Sequence, residues 1–387
     1  MKIVLIVDKF KESLSAGEVA ETIAAGLQHR KKGDTIYSIP LADGGDGTVE
    51  ALERIEGGQK MSIETIDPLG RKIEAAALRI GERYICEMAQ STGLVLISKE
   101  ERDPMQTSSY GLGVMIKAIA GMEVKELIVG IGGSATNDCG IGMLQALGYR
   151  FFDKNGDVLK LLSGERRPDK EMFEDREDIL RGRDMIRIGG VDDSEVLEFI
   201  KQIKIVVASD VTNPLTGIYG ATRVYGLQKG ATAAIVEELE SGVINFARVA
   251  EKFLGMDYSC RPGAGAAGGV GFALQAFLGA ELRPGWRLLF DMLDVEKRIE
   301  EADLVITGEG RVDGQSLSGK LMAGVCSICA KHNKRLIVIC GDNRLTEKEL
   351  ERAGVEKLFA ISQREPVKEK AINNARQYLY EIAGQIE

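Results

Sequence analysis

Histidine is scarce in this chain. The 387 residues include only two histidines, His29 and His332, and both occur in segments with the pattern of surface helices. This scarcity excludes most mechanisms that depend on a Ser-His-Asp triad, a Cys-His pair or a histidine-ligated metal. Any acid–base chemistry must therefore depend on Asp, Glu or Lys.

Aromatic residues and positive charge are also limited. Aromatics make up 5% of the chain, Trp286 is the only tryptophan, and the formal net charge is -9. Stacking surfaces for single-stranded nucleic acid are therefore few, and the acidic balance repels both nucleic acid and anionic membranes. We expect no nucleic-acid partner.

Long hydrophobic runs are missing as well. No run reaches the ~20 residues that a membrane span needs. The apolar run at the N-terminus is short and meets an acid at Asp8, so it predicts a buried strand and not a signal peptide. The six cysteines show no disulfide-framework spacing, and Cys326 and Cys329 occur together inside a predicted helix. These features predict reduced thiols, a cytoplasmic protein and no membrane partner.

Both ends of the chain alternate strand and helix. Residues 2–7 and 35–41 have the pattern of parallel strands, and Ser15 to Glu18 forms a capping box that opens a helix. Near the C-terminus, strands are predicted at 304–307, 336–340 and 357–361, with helices at about 321–332 and 367–382. This rhythm predicts parallel strands with right-handed crossovers.

The middle of the chain has a different pattern. Residues 73–88 alternate around a turn signal at 80–83, and residues 149–159 contain a strong hairpin turn at 153–156. Residues 264–278 predict a small-residue helix, and the charge-dense segment 160–200 predicts a peripheral region. The chain is therefore predicted to be a two-domain α/β protein with a mixed-sheet middle and doubly wound ends.

Glycine- and carboxylate-rich loops follow several of the predicted strands. Four such loops cover residues 42–47, 130–138, 209–214 and 308–314. Glycine allows backbone N–H groups to approach a ligand closely, and carboxylates can hold a divalent cation or take a proton. Because ligands of doubly wound sheets bind beyond the carboxyl ends of strands, the loops favour polyphosphate–metal chemistry.

Each of these motifs also has a purely structural interpretation. The 132–142 segment predicts an anion site, or a tight turn in which Asn137 or Asp138 caps the next helix. Asp210, after a strand, is a candidate magnesium ligand or base, or a turn-forming residue. The segment 314–320 resembles a P-loop, but Leu321 stands where a Ser or Thr should bind magnesium.

Together the motifs resemble the bacterial glycerate kinase family found in glycolate and glucarate utilisation. The matching segments run in the family's order at Phe10–Ala16, Ala42–Thr48, Thr107–Gly111, Gly130–Asp138, Asp210–Leu215, Gln228–Ala231, Gly263–Gly269 and Ala302–Lys320. The resemblance implies ATP-dependent phosphorylation of D-glycerate, with 2-phosphoglycerate as the expected product. It also implies a flavodoxin-like domain at 1–62 and 290–387, an inserted mixed α/β domain at 63–289, and an active site in the cleft between them.

The resemblance leads to a hypothesis for the site. Asp210 is the first candidate base and Glu309 the second, while Lys11, Lys229 and Arg311 neutralise anionic oxygens. The predicted ligands of Mg²⁺ are Asp43, Asp46, Asp210 and Asp313. The residues predicted to bind substrate or phosphate are Ser13, Gly132, Gly133, Ser134, Asn137, Asp138, Lys229 and Arg311.

Some residues depart from the family's pattern. Val7 and Lys9 flank Asp8 where proline and serine are usual, Cys139 replaces a common glycine, and Ser318 replaces a common histidine. The alternatives are a kinase for another small hydroxy acid and a non-catalytic sensor of an acidic metabolite. Regiochemistry, the adenine-binding loop and the oligomeric state stay open, with a homodimer as one possibility.

Overall fold

The chain forms two compact units. The computed structural model describes residues 1–30, 33–40, 48–159, 179–317 and 321–386. The first unit contains Met1–Asp43, Glu50–Glu56 and Pro284–Glu387, and the second contains Gly44–Val49 and Gly57–Arg283. The domain boundaries predicted at residues 62 and 290 stay a prediction.

The first unit is built on a five-stranded parallel sheet. Its strands are β1 (Lys2–Val7), β2 (Thr35–Pro40), β11 (Leu304–Val312), β12 (Arg335–Asn343) and β13 (Lys357–Ala360), in the spatial order β13-β12-β11-β1-β2. Counted along the unit, this order is 2-1-3-4-5, which is the flavodoxin-like arrangement. Residues 3–7 of β1 are all buried, as expected for a strand with helices on both faces of its sheet.

Helices accompany these strands. They are α1 (Ala16–Arg30), α10 (Gly285–Met292), α11 (Val295–Glu300), α12 (Leu321–Lys331), α13 (Glu347–Arg352), α14 (Lys368–Asn373) and α15 (Ala375–Ala383), with a short 3₁₀ helix at Ile361–Gln363. The predicted capping box is present at the start of α1, where the Ser15 backbone N–H donates to Glu18 Oε2 at 3.0 Å. The Glu18 N–H donates in return to Ser15 Oγ at 3.3 Å.

The second unit contains a six-stranded mixed sheet and a small two-stranded sheet. The strands are β3 (Gln59–Ile66), β4 (Lys72–Ile80), β5 (Arg83–Glu87), β6 (Glu126–Gly130), β7 (Arg150–Phe152), β8 (Gly190–Asp192), β9 (Lys204–Ala208) and β10 (Glu281–Arg283). The large sheet has the order β10-β9-β6-β5-β4-β3, antiparallel at β3–β4–β5 and parallel from β5 to β10. The predicted fold class, a parallel sheet plus a separate mixed sheet, is confirmed.

The helices of the second unit pack on this sheet. They are α3 (Ala89–Thr92), α4 (Tyr110–Ala120), α5 (Ile141–Ala146), α6 (Glu198–Gln202), α7 (Ala221–Tyr225), α8 (Ala233–Leu254) and α9 (Val270–Leu278), with 3₁₀ turns at Leu94–Leu96, Gly182–Arg187, Leu227–Lys229 and Ala266–Gly269. The remaining helix, α2 (Thr48–Glu56), is divided between the units, with Thr48 and Val49 in the second.

Several local predictions were wrong. The predicted loop at 308–314 is largely strand, because β11 continues to Val312 while pairing with an equally long β12. The predicted helix at 367–382 is interrupted at Asn374. The predicted helix at 264–278 begins only at Val270, because Ala267 and Gly268 have left-handed backbone conformations.

The segment 179–200 is not peripheral. Residues 160–178 lie outside the described residues, but Leu180, Met185 and Ile188 are buried in the core of the second unit. The Asn245 side chain on α8 donates to the backbone carbonyls of Met185 and Ile188 at 2.9 and 2.8 Å. High charge density in the sequence concealed these apolar anchors.

Candidate functional site

Three parallel strands of the second unit end at the same edge of the sheet. Glu87 closes β5 and lies in register with Gly130 at the end of β6, which lies in register with Ala208 at the end of β9. The loops that follow these strands therefore start side by side. Two of them are the predicted loops at 130–138 and 209–214.

Asp138 fixes the loop that follows β6. This carboxylate is fully buried and accepts hydrogen bonds from the Ser109 N–H and Ser109 Oγ at 2.7 Å each. It also accepts from the backbone N–H groups of Gly140 and Gly142 at 3.0 and 3.4 Å, at the start of α5. Burial raises the pKa of Asp138, and the hydrogen bonds from Ser109 oppose that rise. These hydrogen bonds tie Asp138 to the backbone at the start of α5, and the anion site at Gly132 and Gly133 stays a prediction.

Lys229 reaches the same loop from inside the unit. Its side chain is buried, with 2% of the residue exposed, and Nζ donates to Ser134 Oγ at 2.9 Å and to the Thr136 carbonyl at 2.6 Å. Burial lowers the pKa of Lys229 to about 7, and the Asp138 charge opposes that shift. Lys229 therefore binds protein groups and presents no exposed ammonium to a ligand.

Asn137 and Thr136 carry buried polar atoms beside this lysine. Asn137 Nδ2 donates to Thr222 Oγ1 at 3.0 Å. Asn137 Oδ1 and Thr136 Oγ1 are buried without a hydrogen-bond partner among the described residues. Such atoms are costly in a protein interior. The Lys229 hydrogen bonds to Ser134 and Thr136 hold the neighbouring part of the loop.

A second glycine-rich segment packs against the loop at backbone distance. Gly268 has a φ of 68° and its carbonyl accepts from the Cys139 N–H at 3.0 Å. A Cβ on Gly268 would lie 2.0 Å from the Thr136 carbonyl oxygen, so only glycine fits. Five of the segments that carry the family resemblance thus meet in the second unit. They are Thr107–Gly111, Gly130–Asp138, Asp210–Leu215, Gln228–Ala231 and Gly263–Gly269. The Gly265 N–H donates to the Asn213 carbonyl at 2.9 Å, which joins Asp210–Leu215 to Gly263–Gly269, two segments that are not adjacent in sequence.

The exposed part of this assembly is small. Gly133 and Asp210 are exposed, Gly132 is half-buried, and Ser134 is only 6% exposed. Asp210 follows β9 as predicted, and Gly132 and Gly133 follow β6. Among the predicted residues, the glycines after β6 and the carboxylate after β9 are therefore accessible, whereas Asn137, Asp138 and Lys229 are buried.

Glu87, at the end of β5, was not predicted from the sequence. This carboxylate is 1% exposed and Oε1 accepts from the Val49 backbone N–H at 2.9 Å, at the start of α2. The signal that selected Asp210, an acidic residue ending an apolar strand, is also present at Glu87. It was overlooked because no glycine follows it.

The predicted residues of the first unit gather at the carboxyl edge of its sheet. The Asp8 N–H donates to the Gly308 carbonyl at 2.9 Å, and Arg311 Nε lies 3.5 Å from Asp342 Oδ2 across the β11–β12 pair. A Cβ on Gly310 would lie 3.2 Å from the Lys11 backbone nitrogen. The loop after β1 therefore lies beside the end of β11, which pairs with the end of β12.

Within this edge the candidate residues differ in exposure. Lys11 and Arg311 are exposed, and Glu309 is half-buried. Ser13 Oγ donates to the Ile372 carbonyl at 2.8 Å, which ties the loop after β1 to α14. Asp313 Oδ1 accepts from the Gln315 N–H at 2.9 Å, so Asp313 closes a turn after β11.

Two of the four predicted Mg²⁺ ligands lie outside the described residues. Asp43, Asp46 and the end of the P-loop-like segment at Lys320 lie outside the described residues. In the described ranges, no group of three His, Cys, Asp or Glu side chains is arranged to hold a metal ion. Asp210 and Asp313 belong to different units and are each the only predicted metal ligand described in that unit.

Two α/β units with glycine-rich loops and carboxylates at the carboxyl ends of parallel strands define a protein class that handles small anionic ligands. The sequence model of the glycerate kinase family matches residues 3–387. The chain therefore belongs to the glycerate kinase family, whose members are phosphotransferases.

Individual relatives agree with this assignment. The chain is 40% identical to glycerate 2-kinase from Escherichia coli K12 over 93% of this chain and 90% of that one. It is 37% identical to a glycerate kinase from Bacillus subtilis 168, covering 100% of this chain and 97% of the relative. A crystal structure of a candidate glycerate kinase 2 from Salmonella typhimurium LT2 is similar at a TM-score of 0.79 and 38% identity, over 99% of this chain and 97% of that one.

Across the described part of the chain, no helix combines the length and the apolar character that a membrane span requires.

Proposed function

We propose that this protein transfers the γ-phosphoryl group of ATP to the 2-hydroxyl of D-glycerate, giving 2-phosphoglycerate and ADP. The observation that carries the proposal is the meeting of five family segments around the loop after β6 in the second unit. The 2-position rests on the name of the Escherichia coli relative, glycerate 2-kinase. ATP as donor rests on the kinase family alone.

In the proposed reaction the substrate hydroxyl oxygen attacks the γ-phosphorus. A new P–O bond forms, the bond from the γ-phosphorus to the β–γ bridging oxygen breaks, and the hydroxyl proton passes to a base. We assign Asp210 as that base, because it is an exposed carboxylate at the end of β9 beside the glycine loop. Glu309, half-buried in the first unit, is the second candidate.

Anionic oxygens need donors and positive charge. Gly132 and Gly133 are the accessible residues of the loop after β6 and supply backbone N–H groups for phosphate or for the substrate carboxylate. Lys11 and Arg311 are exposed cations at the sheet edge of the first unit and neutralise phosphate charge. Asp138, Asn137 and Ser13 bind protein groups, so we assign them to holding the loops.

Magnesium fits the chemistry of the carboxylates. Mg²⁺ prefers oxygen ligands and needs only one or two protein carboxylates beside substrate phosphates and water. Asp210 meets that requirement as an exposed carboxylate, and Asp43, Asp46 and Asp313 are the other proposed ligands. When bound, the ion neutralises the charge of the transferring phosphoryl group.

Phosphorus NMR of the reaction mixture tests the proposal. With ATP, magnesium and D-glycerate, we expect ADP and the phosphomonoester resonance of 2-phosphoglycerate. A 3-phosphoglycerate resonance would refute the position, and the absence of ADP would refute the kinase assignment for this substrate. An ADP-release assay over other hydroxy acids, including tartronate, tests the substrate separately.

A further inference from the structure

Lys229 is one of the largest fully buried side chains in the described part of the chain, and a lysine is charged in water. It lies in the 3₁₀ turn Leu227–Lys229, and both of its hydrogen-bond acceptors, Ser134 Oγ and the Thr136 carbonyl, belong to the loop after β6. A buried lysine is expensive unless its donors are satisfied. Because both acceptors of Lys229 belong to the loop after β6, we expect its role to lie in that loop.

We propose that Lys229 is a positioning residue, which anchors the loop Gly132–Thr136 from inside so that Gly132 and Gly133 keep the conformation that binds an anionic oxygen. The inference rests on the proposed function, since it takes this loop as the anion-binding element. It replaces the predicted role of Lys229 as a direct phosphate contact.

The hydrogen bonds of Lys229 support an anchoring role. Nζ donates to Ser134 Oγ at 2.9 Å and to the Thr136 carbonyl at 2.6 Å, so one side chain holds two points of the loop. Asp138 is the charged group that acts on Lys229, and its own oxygens are engaged by Ser109, Gly140 and Gly142.

The hydrogen bonds of Lys229 lie next to the exposed glycine of the loop and not on that glycine itself. Gly133 is exposed and has a φ of 72°, while the next residue, Ser134, is 6% exposed and receives the Lys229 hydrogen bond. Fixing Ser134 and Thr136 therefore fixes the backbone on the C-terminal side of Gly133. An N–H group that is misplaced by about 1 Å loses a large part of its contribution to binding and alignment.

The test compares Lys229→Met with wild type. Met has a similar length and no hydrogen-bond donor, and Lys252→Met, on the exposed face of α8, is the matched control. We expect Lys229→Met to raise the KM of one substrate, ATP or D-glycerate, about tenfold or more, with a smaller change in kcat. Amide hydrogen exchange should also become faster at residues 132–136, and the control should match wild type in all three measurements.

A second variant covers the case in which Lys229→Met does not fold. Ser134→Ala removes one of the two acceptors, and it should raise the same KM by a smaller factor and speed exchange in the same segment. Wild-type KM values and wild-type exchange in the folded variants would overturn the proposal. A fall in kcat of a thousandfold with an unchanged KM would also overturn it, because Lys229 would then act on the reacting atoms.

Amide hydrogen exchange at residues 132–136 can be measured whether or not the protein phosphorylates D-glycerate. If wild type forms no ADP from D-glycerate, the proposed function fails. Faster exchange at 132–136 in Lys229→Met would still support the anchor in that case, and unchanged exchange would refute it.

Discussion

Single polar residues of the second unit fall into two groups by exposure. Asp138 and Lys229 are buried and make all of their hydrogen bonds to the protein, whereas Asp210 and Gly133 face solvent. We expect the buried groups to shape the site and the exposed groups to contact the substrate. Substitutions in the two groups should therefore have different kinetic effects.

For the exposed Asp210, the prediction concerns turnover. Replacing it with Asn keeps the shape of the side chain and removes its basicity, so kcat should fall by at least ~100-fold if Asp210 is the base. Steady-state ADP release measures this change. Glu238→Gln, which neutralises an exposed carboxylate on α8, is the control. Turnover of Asp210→Asn within a few-fold of wild type would exclude the base role.

For the buried Lys229, the prediction concerns how the free energy of unfolding depends on pH. Its pKa falls from 10.5 to about 7 on folding, so between these values the unfolded chain binds more protons than the native one. The free energy of unfolding should therefore rise with pH, by roughly 2 kcal/mol from pH 7 to pH 9.

Urea unfolding at the two pH values checks this prediction. Lys229→Met should lack this gain, while Lys252→Met should retain it. The buried thiols titrate equally in all three proteins, so their contribution cancels in the comparison. An equal gain in Lys229→Met and wild type would contradict the assigned pKa.

Among the structural elements, the left-handed run Ala267-Gly268-Gly269 is the least expected. All three residues have positive φ, and the run lies against the loop after β6. The sequence pattern predicted a helix through these residues, because small apolar residues fit a helix and nothing local requires the left-handed turn. The contact with Thr136 and Cys139, which are distant in sequence, decides the conformation.

Gly268→Ala tests this packing, with Gly255→Ala as the control. Both glycines have left-handed φ, but a Cβ at Gly255 meets nothing within 4 Å while one at Gly268 meets the Thr136 carbonyl oxygen at 2.0 Å. Each substitution should cost about 1 kcal/mol of backbone strain, and Gly268→Ala about 1–3 kcal/mol more from overpacking. Urea unfolding measures both, and equal losses would contradict the described contact.

Strands were easier to predict than the ends of strands. The buried apolar runs of β1 and β12 identify them in the sequence, since their residues are apolar on both faces. The extension of β11 through Glu309 and Arg311 was not predictable, because its glycines and charges have the composition of a loop. Pairing with Asp342 and its neighbours in β12 overrides that local preference.

The whole molecule protects five of its six thiols. Cys260 is exposed, and the buried cysteines are Cys86, Cys139, Cys326, Cys329 and Cys340. Burial raises the pKa of the Cys86 thiol to about 12 and that of Cys326 to about 11, so these thiols are both inaccessible and protonated.

The number of thiols that react quickly therefore reports whether the chain is folded. We expect Ellman's reagent to react quickly with one thiol per native chain and with six in denaturant. Cys260→Ser should remove the fast reaction and leave the slow one. Fast reaction of a second thiol in that variant would show that one of the two cores opens more readily than the structure indicates.

At this scale the sequence predicted the fold class, with a parallel sheet and a separate mixed sheet, and the loops that the family motifs selected stay a prediction. It did not predict how the loops contact one another. Asp138, Asn137 and Lys229 occur in motifs that suggest ligand binding, yet the structure shows them bound to protein groups. Only three-dimensional contacts distinguish a residue that supports a loop from one that binds a ligand.

The pairing of β1 with β11 has a consequence for synthesis on the ribosome. β1 leaves the exit tunnel about 300 residues before β11, one of its two neighbours in the sheet, so the edge of β1 that pairs with β11 stays unpaired while the second unit is translated. At typical elongation rates this interval lasts roughly 15 to 60 seconds. Nascent chains of this protein should therefore be clients of holding chaperones until the strands near residue 304 emerge.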